Sequence, residues 1–205
     1  MKIFEEELFE PLLRLIRFSQ AIGYIEKNKP LIFLDLGCGP KIPFYFFAKK
    51  NKVIFKKYIG IDPLIEKNLI GCLDKHKDIF LLRRKIINKI PLPSSTVDFI
   101  VAFAFLEHIE NPDDIIKEAL RILKTGGKII LTTPTPKAKS ILEFLSFKLK
   151  LISSREITEH KNYFTKKDLL SLIPESKKFN LEINHQYFEF GLNNLLIVTK
   201  KSTDR

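Results

Sequence analysis

The chain has 205 residues, 45% of them hydrophobic and 29% charged, which fits one globular domain with a sizeable core. Its 2 cysteines exclude a disulfide framework, and no Cys/His spacing typical of zinc occurs, so no metal site is predicted. The net charge of +11 is compatible with a nucleic acid, an anionic lipid or an anionic substrate as partner. However, the lysines are spread along the chain, and a general bias of composition explains them equally well.

The start of the chain and its hydropathy bear on location. Residues 1–7 are too acidic for the first part of a signal peptide, and no apolar stretch is long enough to span a bilayer. We therefore expect a cytoplasmic protein. The apolar segment 138–152 leaves a peripheral position at a membrane surface open.

Apolar residues at helical spacing predict a helix or a helix pair over residues 3–27, interrupted at Pro11. This segment precedes the first predicted strand and forms the greater part of an N-terminal cap, residues 1–28. It either packs on the core, which we favour, or covers a bound ligand.

The next stretch organises the rest of the chain. The apolar run from Leu31 to Leu36 predicts a buried strand, and Gly37 and Gly39 follow it before a helix predicted over residues 40–50. An open α/β sheet binds nucleotide-like ligands at such a turn, because glycines allow positive φ and a close approach of the ligand. Asp35, near the end of the strand, can accept a hydrogen bond from a cationic amine.

A second short apolar run ends in Asp62, about 20 residues after the glycines, where dinucleotide folds place the carboxylate that holds ribose hydroxyls. The alternative is a solvated turn residue before Pro63. A strand over 79–82 with continuous apolar content is predicted to be buried on both faces.

The remaining elements predict the layout of the sheet. Strands at 97–103 and 128–133 flank a helix over 112–124 that ends at Gly126 or Gly127, so alternating strands and helices predict a parallel sheet covered on both faces. After these come helices over 138–152 and 165–173. Residues 181–190 and 192–200 then predict an antiparallel hairpin at one edge.

Four motifs in this order resemble class I S-adenosylmethionine-dependent methyltransferases of the broad type-11 kind. They are Leu34–Gly39, Gly60–Asp62, Val97–Val101 with Leu106–Ile109, and Glu118–Lys124 before the glycine pair. The resemblance implies an α/β, Rossmann-like, doubly wound, seven-stranded, mostly parallel sheet with an antiparallel C-terminal strand in a three-layer αβα arrangement. It also implies a single domain over 1–205, with 134–178 as a helical insertion that covers the substrate.

By the same resemblance, S-adenosylmethionine is the cofactor. Its methionine part would lie beside the glycine turn, its ribose on Asp62, and its sulfonium beside the backbone of strand 97–103. The cofactor-binding residues so implied are Asp35, Gly37, Cys38, Gly39, Lys41, Asp62, Pro63, Asn88, Ala102 and Phe103.

The chain departs from the family at two of these positions. Lys41 stands where many relatives have a third glycine, so it either pairs with the cofactor carboxylate or marks a different turn. The acid and small residue usual after the third strand are replaced near residues 86–88, which leaves only the side chain of Asn88 for the adenine amine.

Methyl transfer from a sulfonium is an in-line displacement, so a base helps only when the acceptor is a hydroxyl or a protonated amine. His108, after the fourth strand, is the first candidate, with packing at a helix start as its alternative. His160 and Tyr163 lie in the segment predicted to cover the substrate, where they either contact it or stabilise the loop.

The function predicted is O- or N-methylation of a small-molecule, sugar or lipid-precursor acceptor. A non-catalytic binding protein of the same fold and an RNA methyltransferase are the alternatives. RNA is not favoured as a partner because no basic patch interleaved with aromatic residues occurs. A nicotinamide-dependent oxidoreductase is disfavoured because the third glycine of the dinucleotide fingerprint is missing.

Overall fold

The computed structural model describes residues 10–73, 76–143, 161–174 and 180–202. One seven-stranded sheet runs through them in the order β3-β2-β1-β4-β5-β7-β6. The strands β1 to β5 pair in parallel, and β7 is antiparallel to both β5 and β6. The strands are β1 Leu31–Leu36, β2 Phe55–Ile61, β3 Ile79–Leu82, β4 Val97–Phe103, β5 Leu123–Pro134, β6 Leu181–Phe188 and β7 Asn193–Lys200.

Helices cover both faces of this sheet. They are α1 Glu10–Ile22, α2 Pro43–Lys50, α3 Lys67–Leu73, α4 Pro112–Ile122, α5 Pro136–Glu143 and α6 Lys166–Leu172. Buried residues of α1 and α2, with partly buried residues of α3, pack on one face, whereas α4 and α6 pack on the other. The predicted three-layer αβα fold with an antiparallel C-terminal strand is therefore confirmed.

The two faces of the sheet differ in chemistry. Under α4 and α6 the core consists mainly of Ile, Leu and Val. Under α1 and α2 it is an aromatic cluster in which neighbouring ring centroids lie 4.8–6.4 Å apart. Its members include Phe18, Phe33, Phe44, Phe55, Tyr58, Phe99 and Phe103. Large rings at these distances bury much apolar area and leave few alternative packings, so this face holds the glycine turn rigidly.

Several predicted boundaries are wrong for physical reasons. Helix α1 begins at Glu10 with Pro11 in its first turn, where a proline is tolerated, and the part of the predicted helix before it lies outside the described residues. Helix α2 begins at Pro43 because Ile42 adopts a left-handed backbone conformation. The glycine pair does not end α4, because the helix ends at Ile122 and β5 begins at Leu123. Gly127 lies within β5, where a Cβ would stand only 2.9 Å from the Asp98 carbonyl oxygen.

Strand β3 was predicted to be buried on both faces, and this is wrong. It is an edge strand, and Phe80 remains 44% exposed under the ammonium group of Lys57. None of the helices within the described ranges is both long and apolar enough to cross a bilayer.

Candidate functional site

The glycine turn lies at the carboxyl end of β1. Gly37 and Gly39 both have φ of 73°, a conformation that side chains with a Cβ rarely adopt. A Cβ on Gly37 would lie 2.7 Å from Cδ2 of Phe105, whereas one on Gly39 would meet nothing nearer than Pro43 Cδ at 3.8 Å. The open face of the turn is therefore at Gly39, and the Phe105 ring covers Gly37.

Asp62, just after β2, holds this turn in place. Its Oδ2 accepts a hydrogen bond from the backbone N–H of Gly39 at 3.0 Å, and its Oδ1 accepts one from Leu64 N–H at 2.7 Å. The pKa of Asp62 is raised above its ordinary value, because partial burial outweighs the opposing effects of the two backbone donors and the charge of His108. The two acidic motifs thus meet physically, because the second strand's carboxylate is bonded to the first strand's turn.

Asp35 lies at the same edge of the sheet, since it pairs in register with Gly60, two residues before Asp62. Its side chain is buried in the aromatic cluster, where Oδ2 accepts a hydrogen bond from the Tyr58 hydroxyl at 2.5 Å. Burial raises the pKa of Asp35 to about 7, although the Tyr58 hydroxyl opposes this. Its contact with a cofactor amine stays a prediction, and Tyr58 is a competing partner that the sequence did not reveal.

The remaining residues predicted around the turn divide into inward and outward positions. Cys38 is buried, its Sγ lies 3.0 Å from where a Gly60 Cβ would stand, and burial raises the pKa of its thiol. Lys41 is exposed, with Nζ 4.0 Å from Glu66 Oε1, and Pro63 is also exposed. The structure therefore gives Lys41 an acidic neighbour on the rim.

The other predicted positions lie on either side of the turn. Asn88 is exposed in the loop between β3 and β4. Ala102 and Phe103 close β4 and are buried, and the Phe103 ring packs against Phe18 of α1 with centroids 5.1 Å apart. Helix α1 thus reaches the carboxyl end of β4, and the N-terminal cap over residues 1–28 stays a prediction.

A short 3-10 turn, Leu106–His108, follows β4. Before it, Ala104 has φ of 48°, and its N–H donates to both the carbonyl and the hydroxyl of Thr132 at 3.1 and 3.2 Å. His108 is half-buried and near enough to Asp62 for its charge to lower the pKa of that carboxylate. The structure therefore brings the first catalytic candidate to the same side as the ribose-binding candidate.

Residues 161–164 bind the turn from outside. The backbone N–H groups of Lys161 and Asn162 both donate to the Glu107 carbonyl, at 2.8 and 3.2 Å, and Asn162 Nδ2 donates to Ile109 O at 2.9 Å. Lys161 also forms an ion pair with Glu110. Tyr163 directly follows these bonded residues, and its contact with an acceptor stays a prediction, whereas His160 lies outside the described residues.

A small cavity of about 90 Å³ lies at the opposite edge of the sheet, lined by Glu26, Lys29, Asp98 and Gly126 among others. Ligand pockets usually enclose at least roughly 300 Å³, so this cavity is too small for a nucleoside. The polar groups at the carboxyl edge remain the better site.

Comparison with known proteins identifies the family. A family model described as a methyltransferase domain matches residues 4–186. The chain belongs to this family of methyltransferase domains. The predicted family is confirmed, and with it the class of S-adenosylmethionine-dependent methyltransferases and their cofactor.

Individual relatives of this methyltransferase are distant. The ubiquinone biosynthesis O-methyltransferase of Salmonella enteritidis PT4 is 23% identical over 138 residues, which cover 65% of this chain and 56% of that protein. The match thus spans little more than half of that relative's length.

Two solved structures share the fold. An S-adenosylmethionine-dependent methyltransferase from Mesorhizobium loti is 14% identical with a TM-score of 0.64, covering 89% of this chain and 97% of that one. A methyltransferase in complex with the Haloferax volcanii Trm112 activator is 11% identical with a TM-score of 0.66, covering 92% and 91%.

The carboxyl edge of the methyltransferase fits the cofactor chemically. Each Asp62 oxygen accepts one backbone N–H, and a carboxylate oxygen can accept two hydrogen bonds, so both oxygens can also accept a ribose hydroxyl. The face of Gly39 is open for close approach. When bound, S-adenosylmethionine supplies the methyl group; the chain supplies the hydrogen bonds that orient it.

Sequence reasoning missed three charged residues near this edge. Glu107 lies within the motif Leu106–Ile109, and its position directly before His108 was a signal that could have identified it. Arg17 is a cation among the apolar residues of α1, which was a weaker signal. Glu189, in the turn between β6 and β7, had no signal, because only the folded sheet brings that turn to the site.

Proposed function

We propose that this protein transfers the methyl group of S-adenosylmethionine to a small-molecule, sugar or lipid-precursor acceptor. The observation that carries the proposal is the bond between the second acidic motif and the glycine turn, at 3.0 Å from Gly39 N to Asp62 Oδ2. This bond pre-forms the ribose and methionine sides of the site, so less ordering is needed when the cofactor binds.

The acceptor side supports a small acceptor. Residues 161–164 lie across the turn after β4 and are bonded to its carbonyl groups, and α1 contacts β4 through the pair Phe18–Phe103. These contacts support the single domain 1–205, with residues 1–28 as a cap and 134–178 as a cover. A covered site excludes water and favours a compact acceptor. The name of the Salmonella relative supports oxygen as the atom methylated.

The catalytic roles follow from position. His108 is the candidate base, because it lies beside Asp62 at the carboxyl end of β4. Tyr163 is a candidate contact to the acceptor from the covering segment, and His160 is assigned with it from the sequence. Most of the rate enhancement comes from holding the acceptor in line with the methyl group, and a base adds to it for a hydroxyl.

Calorimetry tests the proposal directly. The purified wild type binds S-adenosylhomocysteine, and Asp62→Ala weakens binding about 100-fold, since two charge-assisted hydrogen bonds to the ribose are lost at about 1.5 kcal/mol each. Asp113→Ala, an exposed carboxylate at the start of α4, leaves the affinity unchanged. A wild type that does not bind the ligand refutes the proposal. Binding without transfer to any acceptor would instead favour the non-catalytic alternative.

A further inference from the structure

Three ionisable side chains from distant parts of the chain meet beside the end of β4. Arg17 comes from α1, Glu107 from the 3-10 turn after β4, and Glu189 from the turn between β6 and β7. Burial raises the pKa of both Glu107 and Glu189, and the positive charge of Arg17 opposes this rise in both, so both carboxyl groups lie near that charge. We call these three residues the Arg17 cluster.

Each member of the Arg17 cluster has a buried polar atom without a hydrogen-bond partner in the part of the chain that the structure describes. The atoms are Arg17 Nε, Glu107 Oε2 and Glu189 Oε1. Glu107 is only 1% exposed. A buried polar atom left unpaired costs about 1–3 kcal/mol, more when it is charged, so three at one place need an explanation.

Interactions within the fold do not provide that explanation. Glu189 receives one hydrogen bond, from Asn193 Nδ2 to its Oε2, which leaves Oε1 unsatisfied. Its backbone has φ of 50° and the next residue, Phe190, has φ of 57°, two left-handed residues in succession. Such backbone strain persists only where the surrounding contacts enforce it, and it is common at ligand-binding sites. Here it accompanies a carboxyl group that is turned inward while Phe190 is fully exposed.

The Arg17 cluster also has the right place for an acceptor. Phe18, next to Arg17, packs on Phe103, the last residue of β4. Asn193, which bonds Glu189, pairs in register with Pro134 at the carboxyl end of β5, the strand beside β4. Glu107 follows β4 directly, and its carbonyl holds the covering segment. Arg17 and Glu107 therefore lie near the carboxyl end of β4, and Glu189 lies on its β5 side, away from the glycine turn.

We propose that Arg17, Glu107 and Glu189 form the acceptor subsite, which binds a compound with two neighbouring hydroxyl groups and aligns one of them on Glu107 for O-methylation. The inference rests on the proposed function and specifies its acceptor. Glu107 contacts the reacting hydroxyl, and the other two residues orient the compound.

A compound with two neighbouring hydroxyls satisfies the unpaired atoms. The unpaired atoms are two carboxyl oxygens that accept and one guanidinium N–H that donates. Two neighbouring hydroxyls supply two donors and also an oxygen that accepts from Arg17. An ammonium group would satisfy the carboxylates but has no lone pair for Arg17, and a lone hydroxyl has only one donor. The subsite therefore favours an oxygen acceptor over a nitrogen acceptor.

In this subsite Glu107 takes the role of base in place of the neighbouring His108, and the transfer step then balances. A lone pair of the acceptor oxygen forms the new bond to the methyl carbon, while the electrons of the breaking carbon–sulfur bond stay on sulfur as a neutral thioether. The hydroxyl proton passes to Glu107 Oε2, which later releases it to solvent. Burial raises the pKa of Glu107 to about 7, which suits a group that takes and returns a proton near neutral pH.

The test is equilibrium binding to the full chain saturated with S-adenosylhomocysteine, which cannot react. The probes are catechol and methyl α-mannopyranoside, each with neighbouring hydroxyls, and phenol with one. The wild type binds at least one of the two diols 10-fold or more tightly than phenol, and the diol that binds tells whether the acceptor is aromatic or a sugar. Glu107→Gln and Glu189→Gln each lower the affinity for that diol at least 10-fold, while Glu182→Gln on β6 does not.

The outcomes separate the two proposals. If S-adenosylhomocysteine does not bind, the proposed function fails. If it binds but neither diol binds better than phenol, only the acceptor subsite is overturned. Equal diol affinity in wild type and both Gln variants also overturns it. Because Glu107→Gln is the most buried change, circular dichroism checks its folding; if it does not fold, Glu189→Gln and Arg17→Lys decide the question by the same measurement.

Discussion

The glycine turn with its two aspartates and the Arg17 cluster differ in how fully their polar atoms are satisfied. On the cofactor side, both oxygens of Asp62 accept backbone N–H groups, and Asp35 accepts the Tyr58 hydroxyl. In the Arg17 cluster, which we propose as the acceptor side, each of the three members leaves a buried atom unpaired. A satisfied site is rigid before the ligand arrives, whereas an unsatisfied one is completed by its ligand. We infer that the cofactor side is pre-formed and that the acceptor side depends on its substrate for completion.

The largest expected effect comes from a substitution in the glycine turn. Gly37→Ala places a Cβ 2.7 Å from the Phe105 ring at a φ of 73°, so we expect a loss of about 3 kcal/mol in the free energy of unfolding. S-adenosylhomocysteine binding falls with it, measured by calorimetry. Gly71→Ala in α3 is the matched control, because its Cβ meets nothing within 4 Å, and it is neutral or slightly stabilising.

A double variant sharpens the same prediction. If the contact with Phe105 is the cause, Phe105→Ala removes the clash, and Gly37→Ala then costs only the backbone strain of about 1 kcal/mol. An undiminished cost in the Phe105→Ala background would assign the whole effect to the backbone.

The next effect is the pH dependence of stability that Glu107 causes. Burial raises the pKa of Glu107 to about 7 from 4.5, so the folded state binds more protons than the unfolded state between these values. The stabilising contribution is present below pH 4.5 and is lost as the pH rises through 7. Glu107→Gln therefore gains up to about 3 kcal/mol relative to wild type between pH 4 and pH 8, measured by urea unfolding.

Glu110 is the control for that measurement because its pKa shift has the opposite sign. Its exposed carboxylate pairs with Lys161, which lowers its pKa. The small stability that it contributes is present above its ordinary pKa and is lost as the pH falls. Glu110→Gln should thus show no gain towards pH 8. Parallel pH curves for the wild type and Glu107→Gln would contradict the buried, unpaired state of Glu107.

The smallest effect concerns the covering segment. Asn162→Ala removes the hydrogen bond to Ile109 O and should lower the free energy of unfolding by about 1 kcal/mol. We expect S-adenosylhomocysteine affinity to stay unchanged, because this hydrogen bond joins the segment to the turn after β4 and involves neither Asp62 nor the glycine turn. Asn184→Ala, at an exposed position of β6, should destabilise the fold less than Asn162→Ala does, and the midpoint of thermal unfolding measures both variants. An equal loss in both variants would mean that the segment is not held by this bond.

Local sequence patterns predicted much of the fold and the residues proposed for the cofactor side. The bounds of β4 and the start of α4 at Pro112 were predicted as observed, since a run that is apolar except for Asp98 and an Asn-Pro-Asp-Asp start are local signals. The exposure of β3 was not predictable in this way, because strand order alone made it an edge. Ile42 likewise gives no local sign of the left-handed conformation that delays α2.

Sequence alone determined the family, the glycine turn and the acid after the second strand, because each of them is marked by a short run of consecutive residues. Only the tertiary structure decided that Phe105 covers Gly37, that Tyr58 holds Asp35, and that Arg17, Glu107 and Glu189 meet. The members of that cluster are up to 172 residues apart, 189 minus 17. Contacts over such separations are set by sheet order and helix packing, which no single segment encodes.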